Sequence, residues 1–161
     1  MVISVGERLP SASFKTMGAE GPADLSTDEL FGGKTVALFG LPGAYTPVCS
    51  AQHLPGFVSK AHALKAKGVD TIACVSVNDP FVMQAWGKDQ NAGDDVLMLS
   101  DPEAKFTRAV GLAVDLSDFG LGERSERYTM LVDNGVLKIL NSEQSILEHD
   151  VSSVDTLLAQ M

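Results

Sequence analysis

Cysteine is scarce in this chain of 161 residues: there are two, Cys49 and Cys74. Two thiols cannot build a disulfide framework or a Cys-rich zinc site, and they suit a reducing compartment such as the cytoplasm. Histidine is nearly as rare, and His53, His62 and His149 show no metal-ligand spacing. Basic side chains are few, 12 Lys and Arg against 21 Asp and Glu, which leaves a net charge of −9. That balance argues against nucleic acid or an anionic membrane surface as the main partner. No apolar run approaches the roughly 20 residues that span a bilayer. The start, MVISVGERLP, lacks the basic residues and apolar stretch of a secretory signal. Repeats, low-complexity tracts and linker-like breaks are also missing, so a single domain over 1–161 is expected.

What is present is an ordinary globular composition, 45% hydrophobic and 20% charged, with enough length for a substantial core. Strand and helix signals alternate. Residues 12–16 predict a short strand, and Ser26-Thr27-Asp28-Glu29 a capping box that opens a short helix ended by Gly32-Gly33. Thr35 to Phe39 is a continuous apolar run, as a strand covered on both faces requires. A helix is expected from Thr46 to about Lys67, kinked at Pro55 and stopped by Gly68. Further strands are expected at 71–77 and 96–99, with helices opened by Asn78-Asp79-Pro80 and by Asp101-Pro102-Glu103. Residues 111–126 read as a loop. Asp133-Asn134-Gly135 is a hairpin turn between 128–132 and 136–140, and a last helix begins near Ser153. This order predicts an α/β sandwich of three layers, a central mixed sheet flanked by helices.

The chemistry concentrates in Leu41-Pro42-Gly43-Ala44-Tyr45-Thr46-Pro47-Val48-Cys49-Ser50, which follows a buried strand and opens a helix. Thr46 suits an N-cap and Pro47 the first helical position, so Cys49 falls in the first turn. There, free N–H groups and the positive end of the helix dipole face its sulfur. Lowering a thiol pKa by about two and a half units requires about 3.4 kcal/mol of preference for the anion. A helix terminus supplies roughly 0.3–1 kcal/mol, up to about 2. A cation is therefore needed, and Arg124 and Arg127 are the candidates. Ionisation alone is also insufficient: nucleophilicity falls with pKa, so the net gain is only on the order of twofold. Speed demands fixed donors toward the transition state, and Thr46, the Cys49 amide and a guanidinium can supply them.

The pattern Pro42-x-x-x-Thr46-x-x-Cys49 resembles the active-site motif of the peroxiredoxins. Its neighbours PGAYTPVCS, HLPGF at 53–57, VSVNDPFVMQAWGK at 75–88 and GLGERSERYTMLVDNG at 120–135 are similar to the type II, or five-type, subfamily along most of the chain. The resemblance implies a thioredoxin-like fold and reduction of hydrogen peroxide, alkyl hydroperoxides and often peroxynitrite. It implies that Cys49 is the peroxidatic cysteine and passes through a sulfenic acid. Thr46 would hydrogen-bond the thiolate and the peroxide, Pro42 would shield the pocket, and Arg127 would stabilise the developing charge. No metal or organic cofactor is implied, and a homodimer is expected, with Phe119 and Leu121 on a loop that walls the pocket or forms an interface.

Many relatives resolve the sulfenic acid with a second, often C-terminal cysteine, but here none follows Cys74. A one-Cys cycle is therefore expected, with glutathione and glutaredoxin ahead of thioredoxin as reductant. Cys74, in the apolar stretch TIACVSV, is read as inert packing. Two other functions are weighed against the peroxidase. His53 lies four residues beyond Cys49 on the same helical face, which allows a Cys–His hydrolase. A redox sensor or holdase would use Cys49 oxidation to change partner binding. A thioredoxin-type dithiol exchanger lacks its Cys-x-x-Cys.

Overall fold

The computed structural model describes residues 1–161. Its strands are β1 (Ser13–Gly18), β2 (Gly21–Ser26), β3 (Thr35–Gly40), β4 (Thr71–Ser76), β5 (Leu97–Ser100), β6 (Ala113–Asp115), β7 (Glu123–Ser125), β8 (Tyr128–Asp133) and β9 (Val136–Ser142). Its helices are α1 (Thr27–Phe31), α2 (Leu54–Ser59), α3 (Ala61–Ala66), α4 (Pro80–Asp89), α5 (Lys105–Ala109) and α6 (Val154–Gln160). Seven strands form one mixed sheet in the order β2-β1-β5-β4-β3-β8-β9, and β6 pairs with β7 outside it. β3, β4 and β5 run parallel at the centre, and β8 lies antiparallel to β3. The expected three-layer α/β sandwich is thus the observed architecture.

The strands at the centre read as unbroken apolar runs because both of their faces are covered. Val36 and Leu38 point into a cluster with Phe14, Phe31, Phe106 and Tyr128. Ala37 and Phe39 point the other way, among Leu54, Phe57, Leu64, Trp86, Cys49 and Cys74. Strand alternation turns Cys74 into this layer, where the π-turn also brings Cys49. Burial, with the nearby Cys49 second, pushes the Cys74 thiol well above its ordinary pKa, in keeping with a packing role.

Several local signals act as expected. Ser26 and Glu29 form the capping box of α1, Asp79 caps α4 through the Val82 N–H, and Ser153 caps α6. Asn134 and Gly135, at φ 47° and 80°, make the β8–β9 turn. One strand carries no clear sequence signal, and three expectations need correction. GPADLS pairs with β1 as the edge strand β2, which its proline and aspartate disguise and which only an edge tolerates. The segment at 111–126 is no plain loop, for it contains β6, β7 and a 3₁₀ turn at Ser117–Phe119. The helix after Asp101 begins at Lys105, because Ala104 adopts a left-handed φ of 56°. Asp101 instead reaches forward to accept from the Phe106 and Thr107 amides. Finally, the helix expected from Thr46 to Lys67 is broken. It passes through a π-turn at Cys49–His53 and breaks again at Lys60 between α2 and α3.

Pro55 accounts for the π-turn. It has no N–H for the Ala51 carbonyl, and its ring would collide with that carbonyl in a regular helix. The chain widens instead, and the Leu54 N–H bonds the Cys49 carbonyl five residues back.

Gly40 closes β3 directly opposite Tyr128 on β8. A Cβ at that position would lie 2.3 Å from the buried phenol ring. Gly40→Ala is expected to cost about 1–3 kcal/mol by overpacking, measurable as a lower urea midpoint with an unchanged slope.

Candidate active site

The three parallel strands end at one edge of the sheet, and the loops that follow them meet there. Open α/β sheets bind ligands at this edge. The loop after β3 contains Pro42, Gly43, Ala44, Tyr45 and Thr46 and leads through Pro47 and Val48 into the π-turn that begins at Cys49. The Thr46 carbonyl accepts the Ser50 N–H at 3.0 Å. Val48 and Cys49 therefore occupy the first turn, where amides have no upstream carbonyl to bond. The first-turn placement of Cys49 expected from the sequence is observed.

The sulfur is buried, with its residue 0% exposed. Arg127, immediately before β8, donates from Nη2 to Cys49 Sγ at 3.2 Å. Its Nε donates to the Ile146 carbonyl at 3.0 Å, and its Nη1 lies 3.2 Å from His53 Nδ1. The guanidinium is itself only 2% exposed and joins none of the ion pairs of the protein. Its protein acceptors besides the sulfur are thus a carbonyl and an imidazole.

The tautomer of that imidazole follows from its neighbours. The Thr129 hydroxyl donates to the Ser152 carbonyl, which can only accept. Thr129 Oγ1 must then accept from His53 Nε2, 3.4 Å away. Nε2 carries the proton, and the Nδ1 lone pair faces Arg127. Burial, and then the Arg127 charge, hold the His53 pKa well below 6.5, so the ring is neutral. The chain of bonds continues into the C-terminal segment. Glu143 accepts from the Ser152 N–H and hydroxyl, both at 2.9 Å. Burial works to raise the Glu143 pKa, but the bonds from Ser152 and Asp150 prevail and hold it below the usual carboxylate value. His53 also packs against Phe39, at a centroid distance of 4.9 Å with the rings tilted by 45°.

Of the residues singled out in the sequence, the fold brings Cys49 and Arg127 into direct contact. Thr46 stands at the head of the turn, half-buried, and its hydroxyl donates to the Gly43 carbonyl at 2.7 Å. It makes no hydrogen bond to the sulfur and caps no amide. With its proton engaged, the oxygen offers lone pairs to an incoming O–H. Pro42 is buried, and its carbonyl accepts from Arg124 Nη1 at 3.2 Å. Arg124, the rival cation, therefore braces the loop, and Arg127 is the one at the sulfur. His53 touches Arg127 and not Cys49, and both its nitrogens are occupied, which leaves no base for a Cys–His hydrolase. Ile146 and Ser152 were not legible as part of the site because they accept through backbone carbonyls, which leave no mark on residue type, and Thr129 was not because only the fold brings its hydroxyl to His53.

Comparison with known proteins identifies the family. A family model described as Redoxin matches residues 4–158. The chain is 53% identical over 150 residues to the rice protein Peroxiredoxin-2E-2, chloroplastic, covering 88% of this chain and 65% of that one. It is 47% identical over 162 residues to Peroxiredoxin-2E, chloroplastic, of Arabidopsis thaliana, covering 98% and 69%. Among solved structures, reduced Prx3 from Vibrio vulnificus in complex with H2O2 superposes with a TM-score of 0.94 at 50% identity, covering 99% of each chain. The chain therefore has the thioredoxin-like fold and belongs to the redoxin family and, within it, to the peroxiredoxins, the thiol-dependent peroxidases that act through a cysteine.

Proposed function

We propose that this peroxiredoxin reduces hydrogen peroxide and small alkyl hydroperoxides at Cys49 and is recycled by an external thiol. The observation that carries the reading is the contact between two buried groups, the Arg127 guanidinium and the Cys49 sulfur, 3.2 Å apart. Two unit charges at that distance attract by about 5 kcal/mol at an effective dielectric of 20. A helix terminus contributes roughly 0.3–1 kcal/mol, so the guanidinium is the dominant partner of an anionic sulfur.

The thiolate attacks one oxygen of the hydroperoxide, the S–O bond forms and the O–O bond breaks. Cys49 leaves as a sulfenic acid, and the departing alkoxide or hydroxide takes a proton to become alcohol or water. Arg127 faces the charge as it moves from sulfur to the leaving oxygen, and such a fixed donor is worth about 10²–10³ in rate. Thr46 Oγ1 accepts the peroxide O–H, and Pro42 keeps water from the sulfur. The neutrality of His53 supports this arrangement: a carboxylate in its place would hold Arg127 equally well but cancel the charge that the reaction uses.

The reductant is the finer part of the proposal. No cysteine follows Cys74, and Cys74 itself is fully buried in a β-strand. An external thiol therefore condenses with the sulfenic acid, releasing water, and a second thiol frees Cys49 as a disulfide departs. Glutathione with glutaredoxin is our first choice and thioredoxin the second. Two unpaired thiols suit the cytoplasm or another reducing compartment. A second copy of the chain is the expected partner at the exposed Phe119, 65% accessible beside Leu121. The oxidation-sensor alternative differs in requiring slow reaction with peroxide.

Three outcomes are expected. Cys49→Ser abolishes peroxide consumption with glutathione and glutaredoxin, and Arg127→Gln lowers kcat/KM by about 10²–10³, whereas Cys74→Ser retains most activity; full activity in the Cys49 variant would refute the proposal. Second, peroxide-treated protein mapped without reduction carries adducts of added glutathione on Cys49, and an internal Cys49–Cys74 disulfide would exclude the one-Cys cycle. Third, His53 is neutral in the fold but gains a proton near pH 6.5 when unfolded. The unfolded chain binds more protons, so stability falls as pH drops below about 6.5, by up to about 1.4 kcal/mol per pH unit from this group. Urea titrations should show that His53→Gln flattens this decline, and an unaltered slope would mean that the buried ring is not its source.

A further inference from the structure

The loop from Leu41 to Thr46 makes few bonds within itself, and it holds Tyr45 in a left-handed φ of 65° that a bulky residue adopts only under constraint. Besides Arg124, the constraint comes from α4 and the residues that lead into it. Three side chains on or beside that helix reach the reactive segment. Asn78 Oδ1 accepts the Ala44 N–H at 2.9 Å, Trp86 Nε1 donates to Ser50 Oγ at 3.1 Å, and Asp89 accepts the Tyr45 hydroxyl at 2.7 Å. Asp89 binds at the exposed surface, where a bond contributes least, and Trp86 binds beyond the cysteine. Asn78 alone among the three takes hold of the loop backbone.

Asn78 is in turn tied to the ends of two central strands. Its Oδ1 also accepts from Ser76 Oγ at 2.7 Å, and the same hydroxyl lies 3.3 Å from the Leu41 carbonyl. Its own carbonyl accepts from the Ser100 hydroxyl. Ser76 and Ser100 are fully buried and pair in register across β4 and β5. On the far side of the loop, a Cβ on Gly43 would lie 2.7 Å from Arg124 Nη1 and 3.6 Å from Asn78 Oδ1. The loop thus passes close against the Arg124 guanidinium, with the Asn78 carboxamide at ordinary contact distance.

We propose that Asn78 is a positioning residue for peroxide reduction: its carboxamide oxygen fixes the Ala44 amide to the ends of β4 and β5, and so sets where the loop presents Pro42 and Thr46 to the peroxide. This inference rests on the peroxidase reading of Cys49. Asn78 acts through the loop and touches neither sulfur nor substrate. The sulfur has its own support in Arg127, so loss of Asn78 disturbs peroxide binding more than thiolate reactivity.

The test compares two reactions of pre-reduced protein at one pH: single-turnover oxidation of Cys49 by hydrogen peroxide, and alkylation of Cys49 by iodoacetamide. Asn78→Ala should slow the first about tenfold, the worth of one hydrogen bond near 1.4 kcal/mol. Alkylation should stay within about twofold of the parent, since it needs the sulfur but not the loop. Asn78→Asp, which keeps an acceptor oxygen for Ala44, should recover most of the peroxide rate. Ser76→Ala, which removes the second bond to Oδ1, should slow it severalfold and serves if Asn78→Ala does not fold. An Asn78→Ala protein that reacts with peroxide at the parental rate overturns the assignment, as does one in which both reactions fall together. Should the parent protein itself fail to react with peroxide, the peroxidase reading fails first, and the assignment falls with it.

Discussion

A buried guanidinium held by neutral groups is the constraint on which the rest of the site depends. Removing a cation from water is costly, and a fold ordinarily offsets that cost with a carboxylate. Here Arg127 has a carbonyl, an imidazole and a thiol as its acceptors. The charge is stabilised by hydrogen bonds but left uncancelled, and it faces the sulfur directly. The Glu143–Ser152–Thr129–His53 chain of bonds follows from this requirement, because it keeps the imidazole lone pair aimed at Arg127. None of the carboxylates of this acidic protein forms an ion pair with Arg127.

The sheet makes the arrangement possible by bringing distant segments to one edge. Cys49 and Arg127 are 78 residues apart in the chain, yet β3 and β8 are neighbours in register, with Gly40 opposite Tyr128. The strand that ends before the reactive loop and the strand that begins after Arg127 are therefore the same hydrogen-bonded pair. The close packing of the Tyr128 ring on Gly40 locks the two where the site begins. Stability of the core and geometry of the chemistry are set by the same contact.

Much of this was legible in the sequence. Strands that must be apolar on both faces, such as Thr35–Gly40, announce themselves, and so do caps such as Ser26, Asp79 and Ser153, whose function lies in their own side chains. Cys49 could be placed in a first turn because Thr46-Pro47 is a local signal. What stayed hidden depends on distance or on the backbone. β2 is held by pairing with β1 rather than by burial, so its pattern is weak. β6 and β7 are three residues each and too short to show a period. Arg127 could be chosen over Arg124 only by its place in a family motif, since both are arginines near the same strand. The hydroxyl of Thr46 is turned to a carbonyl instead of to the sulfur, because the loop curls back on Gly43, and a curl of that kind leaves no imprint on composition.

The π-turn at Cys49–His53 has one more implication. A hydroperoxide is a molecule of a few atoms, but the external thiol of the proposed cycle would be a peptide or a protein, and the sulfur it would have to reach is fully enclosed. On the proposed cycle, recycling by so bulky a thiol would require a wider opening of the turn than oxidation by a hydroperoxide. Pro55 has already removed one rung of the helix directly beneath the cysteine, so the ladder is weakest where it has to part. On that cycle the irregularity would act as a perforation, opening for the second partner while the sheet below stays closed.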